Sequence, residues 1–373
     1  MQRRAAPGLC ALTTILLLSA IAAPHAAELA LTPWVSGAED LLQVQPRPDG
    51  GLAILRPGHL TFLSPAGQTV AQVEAGPAQT LWIAVDGRAY GLATHTNGAA
   101  DFAPVAAFEL RDADGALLWS IGPTDDMSFD ISTRGTVVGK RLNINIPERN
   151  ALHFYGPGGT RLAEVVVPRL EGGRFSDDGD AYFAQSATEG LIAFDPQGTE
   201  LWRHAGVRLF AVTPDGGTVA AVAGDRLELL AAGAVMAASD LASLLVRRVA
   251  IAPDGGRIAI AGREELHVYD EDLRRLWSES LSGTGFVFTA VDVSANHGWL
   301  LAGVARDLGP SVPVEARHPC GEVRAYDAAG RLRHQAALTF DAWNIFTPTA
   351  RLDASGAGAT ITTRRAAYRT VLP

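Results

Sequence analysis

A turn rich in Asp and Gly returns at near-regular intervals along this chain, always between short apolar runs, and little else can be folded around it. Good copies are Val249–Ile260 (VAIAPDGGRIAI), continued by Leu266–Trp277 (LHVYDEDLRRLW), and Leu209–Val222 (LFAVTPDGGTVAAV). In such a turn Pro presets φ, Asp bonds back to the backbone, and Gly accepts the left-handed conformation. The runs between are short, alternating and rich in Val, Ala, Leu and aromatics, as half-buried strands are. Helical periodicity is essentially absent, although Val235–Val246 can be read as one short turn of helix.

Two kinds of turn alternate, as expected of four-stranded antiparallel meanders whose strands are named a to d from axis to rim. The a–b turns are Pro48-Asp49-Gly50-Gly51, Val85-Asp86-Gly87-Arg88, Thr133-Arg134-Gly135, Asp177-Asp178-Gly179, Pro214-Asp215-Gly216-Gly217 and Pro253-Asp254-Gly255-Gly256, then Ala295-Asn296-His297-Gly298 and Ala354-Ser355-Gly356. The c–d turns follow the spacing D-x-x-G-x-x-φ-W, φ being apolar. They read Asp112…Gly115…Leu118-Trp119, Asp195…Gly198…Leu201-Trp202 and Asp270…Leu276-Trp277, with Leu273 in place of Gly in the last. Weaker copies start at Ser64, Gly156, Leu230 and Asp327.

Eight a–b turns stand against seven c–d turns. Beyond Gly356 the chain has room for strands over Ala359–Thr363 and Ala367–Leu372 and no more; the missing outer strand is available at Leu29–Val35. A fixed-period array of short strands closes into a ring. The expectation is an all-β fold, a single β-propeller of eight four-stranded antiparallel blades, its last blade closed by N- and C-terminal strands. Closure of that kind removes two unpaired sheet edges. Seven blades result instead if one weak copy, such as Thr133–Gly135, is only a loop.

Turns like Ile251-Ala252-Pro253-Asp254-Gly255 resemble those of WD40-like propellers in secreted bacterial proteins. The Asp-x-x-Gly…Trp spacing is similar to repeats of the pyrroloquinoline-quinone (PQQ)-like propellers, a group holding quinoprotein dehydrogenases and a non-catalytic outer-membrane assembly scaffold. The resemblance concerns scaffold positions over most of residues 28–373 and implies a fold rather than a function.

Arg3 and Arg4, then the apolar Leu9–Ala23 and small residues Ala20 and Ala22, read as a secretory signal over 1–27, cleaved between 22 and 27. The apolar run falls short of the ~20 residues a membrane span needs. The expected destination is the periplasm or the exterior, with the propeller over 28–373 and no integral membrane segment left. A net charge of -9 argues against nucleic acid and anionic lipid as partners. Of the two cysteines only Cys320 survives cleavage, so no intrachain disulfide is expected.

Antiparallel meanders place a–b and c–d turns at one end and b–c and d–a connections at the other. The long connections, Thr94–Ala107, Lys140–Asn150 and Ala305–Gly321, all belong to the second end. Binding residues usually lie on such loops, held by a rigid array. There Arg141, Asn143, Asn145 and Arg149 alternate with Leu142, Ile144 and Ile146, as on a strand-like arm with one polar side suited to an anionic or polar partner. Trp343 and Asp341 lie on a d–a loop near the axis. His318 and Cys320, two apart on one loop, with His95 or Asp307, provide too few placed donors for zinc. Asp125 and Asp126, with Asp130, lack the D-x-[DN]-x-[DN]-G spacing of a calcium loop. No catalytic constellation, metal set or cofactor motif emerges. The sequence therefore points to an exported, non-enzymatic scaffold binding a protein or a surface polymer through its loop face. The alternatives are a quinone- or metal-dependent dehydrogenase or sugar-processing enzyme with a central funnel, and a small-ligand sensor. Against quinone chemistry, the chain lacks an adjacent cysteine pair.

Overall fold

The turn chemistry sets the hairpins. In the a–b turns one carboxylate oxygen accepts the N–H two residues on: Gly51 to Asp49 at 2.9 Å, Gly217 to Asp215 and Gly256 to Asp254 at 3.0 Å. In the c–d turns it accepts two. Asp112 Oδ1 takes Asp114 N and Ala116 N at 3.0 and 2.8 Å, and Asp195 Oδ1 takes Gln197 N and Thr199 N at 2.9 and 2.8 Å. Asp270 and Asp327 repeat the pattern. That pair of bonds is why Asp opens the c–d spacing. At Asp327, burial pushes the carboxyl up. The N–H groups of Arg331 and Ala329 and the guanidinium groups of Arg333 and Arg331, 2.7 and 2.9 Å away, outweigh it and hold the carboxyl at about 2. A depressed native value gives stability that is present above the ordinary carboxylate range near 4 and is lost as pH falls through about 2. Asp327→Asn should therefore cost about 1 kcal/mol at neutral pH, screening by solvent included. The gap between the two proteins' melting curves should close between pH 4 and pH 2. A gap independent of pH would contradict this account.

The computed structural model describes residues 26–35, 43–47, 49–76, 79–84, 86–95, 105–241, 244–296, 298–307, 309, 320–339, 349–353, 358–362 and 366–372. Eight sheets surround one axis. Blades 1 to 7 are meanders over 43–74, 79–121, 128–166, 170–204, 207–240, 248–280 and 286–339. Blade 8 combines Thr349–Leu352, Gly358–Thr362 and Ala367–Val371 with Thr32–Val35 as its outer strand, antiparallel to Ala367–Val371. The closure expected from the turn count is thus present, with one addition. Ala27–Glu28 lies parallel on Leu332–Thr339 as a fifth strand of blade 7, and buried Leu29 packs between blades 7 and 8. Nine residues, 27–35, thereby join two blades. The closure is locked by Arg369, whose Nη1 donates to Gly50 O in blade 1 at 2.9 Å and whose guanidinium carbon lies 5.6 Å from the Trp34 ring centre. Its Nη2 approaches Asp353 at 3.5 Å.

Among the described residues of Val235–Val246 there is no helix. Ala234–Asp240 is the outer strand of blade 5, paired antiparallel with Arg226–Ala231, because a tight turn at Ala232-Gly233 folds it back. Among the described residues the one helical piece is a 3-10 turn, Pro147–Arg149.

The core lies between blades rather than within one. Four tryptophans order it: Trp119 meets Gly159, Trp202 meets Gly233, Trp277 meets Gly330, and Trp34 meets Gly67, in each case the c–d glycine of the next blade. Trp34 extends the position shared by the other three, so every second blade carries an indole there. At other seams the partner is small or branched: Val73 under Gly115, Ala163 under Gly198. The same logic accounts for Leu273. Blade 5 offers Ala237 to that seam, and Leu273 is buried in the cluster Ala237 packs against, despite a strained φ of 58°. Where an indole is present the reverse holds. Gly330 has φ 79°, and a Cβ there would stand 2.5 Å from Trp277 Cδ2. Gly330→Ala should cost about 2–4 kcal/mol from left-handed strain plus overpacking, read as a lowered urea midpoint with unchanged slope. A neutral result would mean that this seam is loosely packed.

Candidate functional site

The innermost strands leave a central cavity of about 880 Å³ toward the a–b end. Five positions before the turn glycine, or its equivalent, each blade presents one wall residue. Blades 3 and 4 give Asp130 and Arg174, blades 7 and 8 give Asp292 and Arg351, and blades 1, 2, 5 and 6 give Gln45, Trp82, Ala211 and Ala250. Two Asp–Arg neighbours thus face each other across the ring, yet neither forms an ion pair within itself. Asp130 binds Lys140 Nζ and the Tyr182 hydroxyl, each at 2.8 Å, and Arg174 binds Asp177 at 3.1 Å. Asp292 accepts from Leu352 N at 2.7 Å and Val293 N at 3.0 Å. It keeps some surface toward channel water but is otherwise deep in protein. Burial raises its carboxyl, against those two N–H groups and the charges of Arg351 and Arg174. Tyr182 is raised well above an ordinary phenol by burial and then by the negative charge of Asp130. A cavity of this size with polar groups at its wall can hold a small polar ligand.

The opposite end carries the long connections. At the entry to blade 3, Asp126 is fully buried. Its Oδ2 accepts from Thr124 Oγ1 and Tyr155 Oη, both at 2.9 Å, while Oδ1 lies 2.8 Å from Nδ1 of buried His153. That last contact is ionic in distance but off the line of a ring N–H···O bond, so a protonated His153 is attracted without being aligned. Burial, then the Asp126 charge and hydrogen bond, push the Tyr155 hydroxyl far above its usual range. Gly139 permits the arrangement, since a Cβ there would collide with the Asp126 carboxylate. The network ties the connection entering blade 3 to the blade's third strand, Ala151–Tyr155, and is closed to solvent-borne ligands. The aspartate expected as a binding residue is therefore structural, whereas Asp125 beside it is exposed.

The segment after Val137–Arg141 is no strand-like arm. Asn143 Oδ1 caps Asn145 N at 3.1 Å and Ile146 N at 2.8 Å, Asn143 N donates to Asn150 Oδ1 at 2.6 Å, and a 3-10 turn follows. Side-chain capping outcompetes extension here. The expected sides are not kept: Arg141 pairs with Glu164 at 3.0 Å and Leu142 packs on the core, while Ile144 and Ile146 are 71% and 43% exposed. Asn145 and Arg149 remain exposed. At the same end of the blade Val166, 55% exposed, finishes the outer strand opposite Ala151. Between blades 5 and 6, Leu245 is 73% exposed on the same face. His95 is buried, its Nε2 2.8 Å from Thr80 Oγ1, and therefore not presented to a partner. Trp343, Asp341 and His318 lie outside the described residues, and the side chain of Cys320 is not described. Among the described residues no three His, Cys, Asp or Glu converge on a metal position, and no helix is long and apolar enough to cross a membrane. The exposed isoleucines are hard to see in the sequence because their alternation suits a strand; the Asn at either end of the loop is the available signal.

Comparison with solved structures finds the same architecture at low identity. The C-terminal WD40 domain of Sif2 superposes with a TM-score of 0.64 at 12% identity, covering 93% of this chain and 99% of that one. Saccharomyces cerevisiae Sqt1 gives 0.61 at 11%, covering 93% and 100%. BamB from Moraxella catarrhalis gives 0.60 at 13%, covering 91% and 100%. The likeness to both WD40 and PQQ-like propellers establishes the fold. No family model and no curated protein sequence matches the chain.

Proposed function

We propose that this propeller is an exported scaffold that binds a protein or a surface polymer through the face bearing its b–c and d–a connections. The observation carrying the reading is the set of exposed apolar side chains on that face: Ile144, Ile146 and Val166 on blade 3 and Leu245 between blades 5 and 6. Apolar side chains grouped on one surface and rimmed by charge mark interaction sites, whereas singly scattered ones are ordinary. The rim residues Val70, Leu118, Leu162, Leu201, Met236 and Leu276 are also exposed, with Leu117 and Val235 beside two of them, but they recur at one equivalent position per blade around the ring and so belong to the repeat rather than to one face. Export is supported by the signal-like sequence over residues 1–27.

A photo-crosslinking residue placed at Ile144 in the native host should trap a partner, and one at Leu118 should not. Rebinding of that purified partner should weaken about tenfold in the Ile144→Asp/Ile146→Asp protein, as expected for loss of an apolar anchor. Equal trapping at both positions would overturn the choice of face. N-terminal sequencing of the exported protein should begin between residues 23 and 28; an intact Met1 would overturn export with cleavage.

A further inference from the structure

Three arginines lie together at the loop-side end of the innermost strands with no carboxylate in ion-pair contact among the described residues. Arg208 lies at the start of the innermost strand of blade 5, Val207–Val212, and Arg248 opens that of blade 6, Arg248–Ile251, just after Arg247. Relative to the turn glycine of its blade, Arg208 is the equivalent of Arg247. Their contacts form a chain along that end. Arg208 donates to Gly224 O and, through Nη1, to Val246 O, both at 3.3 Å. Arg248 donates to Arg247 O at 2.8 Å and to Thr289 O in blade 7 at 2.9 Å. Backbone carbonyls thus fix two of the guanidinium groups. Among the described residues none of the three has an ion-pair partner.

Nearby carboxylates are engaged elsewhere or stand apart. Glu171 on blade 4 accepts from Gln185 Nε2 at 2.6 Å, Asp307 pairs with Arg263 at 2.8 Å, and exposed Asp225, next to the Gly224 that Arg208 binds, forms no ion pair among the described residues. Arg248 is held below the usual guanidinium value by burial and then by the charge of Arg247, the mark of a positive group lacking a compensating anion. In a chain of net charge -9 such a concentration is a local exception. Leu245 stands exposed two residues before Arg247.

We infer that this end of blades 5 to 7 docks a carboxylate-bearing segment of a protein partner, its acidic side chains on Arg208, Arg247 and Arg248 and an apolar neighbour on Leu245. The inference rests on the loop face being the binding face. Guanidinium forks match carboxylates in a planar, bidentate manner, and two of these are pre-oriented by their carbonyl bonds, which lowers the ordering cost of binding.

The test uses a fluorescein-labelled peptide of alternating Glu and Leu, its Gln/Leu counterpart and heparin, followed by fluorescence anisotropy on the full-length exported protein. The Glu/Leu peptide should bind, weakening steeply with added salt, and the Gln/Leu peptide should not. Arg247 makes no described side-chain hydrogen bond, so Arg247→Glu should leave the melting temperature unchanged while lowering affinity about tenfold. Arg208→Gln/Arg248→Gln should do the same in protein verified as folded by its melting curve. Ile144→Asp should have no effect on this peptide. Failure of the acidic peptide to bind, binding indifferent to Arg247→Glu, or arginine-dependent binding of heparin alone would each overturn the inference. Loss of trapping at Ile144 with the peptide result intact would remove the blade 3 anchor but not the arginine site. The opposite pattern would remove this site alone.

Discussion

Asp126→Ala is expected to destabilise the propeller by about 3–4 kcal/mol, because it strands a buried imidazole and two hydroxyls at once. Thr124, Tyr155 and His153 all converge on that carboxylate, which has no contact with solvent. Tyr155→Phe removes one donor and leaves the acceptor with another, so about 1 kcal/mol is expected. Because the two groups touch, their losses should not add, and the coupling in a double-mutant cycle should exceed about 0.5 kcal/mol. Chemical denaturation read by tyrosine and tryptophan fluorescence measures all of these. A loss below about 1 kcal/mol for Asp126→Ala would mean the network is dispensable. An intact partner affinity in the folded variant would agree with a structural role for a residue whose loop position suggested ligand contact.

Removal of residues 1–35 should have the other large effect. It strips the outer strand from blade 8, the parallel strand from blade 7 and Leu29 from the seam between them. Ala367–Val371 would then present a bare edge, an invitation to pair with other chains. A melting temperature lower by about 10 °C or more is expected, with association that rises with concentration. Point variants divide the effect. Trp34→Ala should cost about 2 kcal/mol from lost packing at Gly67. Arg369→Ala should cost about 1–2 kcal/mol from the lost bond to Gly50 and the stacked indole. An unchanged transition in the shortened chain would show that the ring does not depend on its N-terminal strands.

The blades were readable because the turns are local. An Asp that accepts N–H groups two and four residues on leaves its spacing in the chain, and a glycine with positive φ marks the next residue but one or two. Counting such turns also located the shared last blade. Placement across the ring was less legible. Trp34 was not recognised beside Trp119, Trp202 and Trp277 because its strand precedes the first repeat and carries no turn of its own. Asp126 and His95 look exposed in a loop-by-loop reading, since burial by a neighbouring strand leaves no local trace. The loop after Arg141 misled for a different reason: alternation over six residues suits a strand, but Asn143 spends its side chain on nearby N–H groups. The arginine cluster is assembled from two separate blades, and the channel pairs Asp130–Arg174 and Asp292–Arg351 become visible when each blade is aligned on its turn.

Indoles on alternate blades give the ring a grain two sheets wide. Each indole faces a bare glycine, whereas the joints without one, where described, set Val73 or Ala163 against a glycine, or Ala237 beside the larger Leu273. Insertion or loss of a single sheet would set two joints of the same kind side by side, leaving a void or a collision. Lineages of this architecture that change circumference while keeping the indole code should therefore do so by couples, through six or ten sheets.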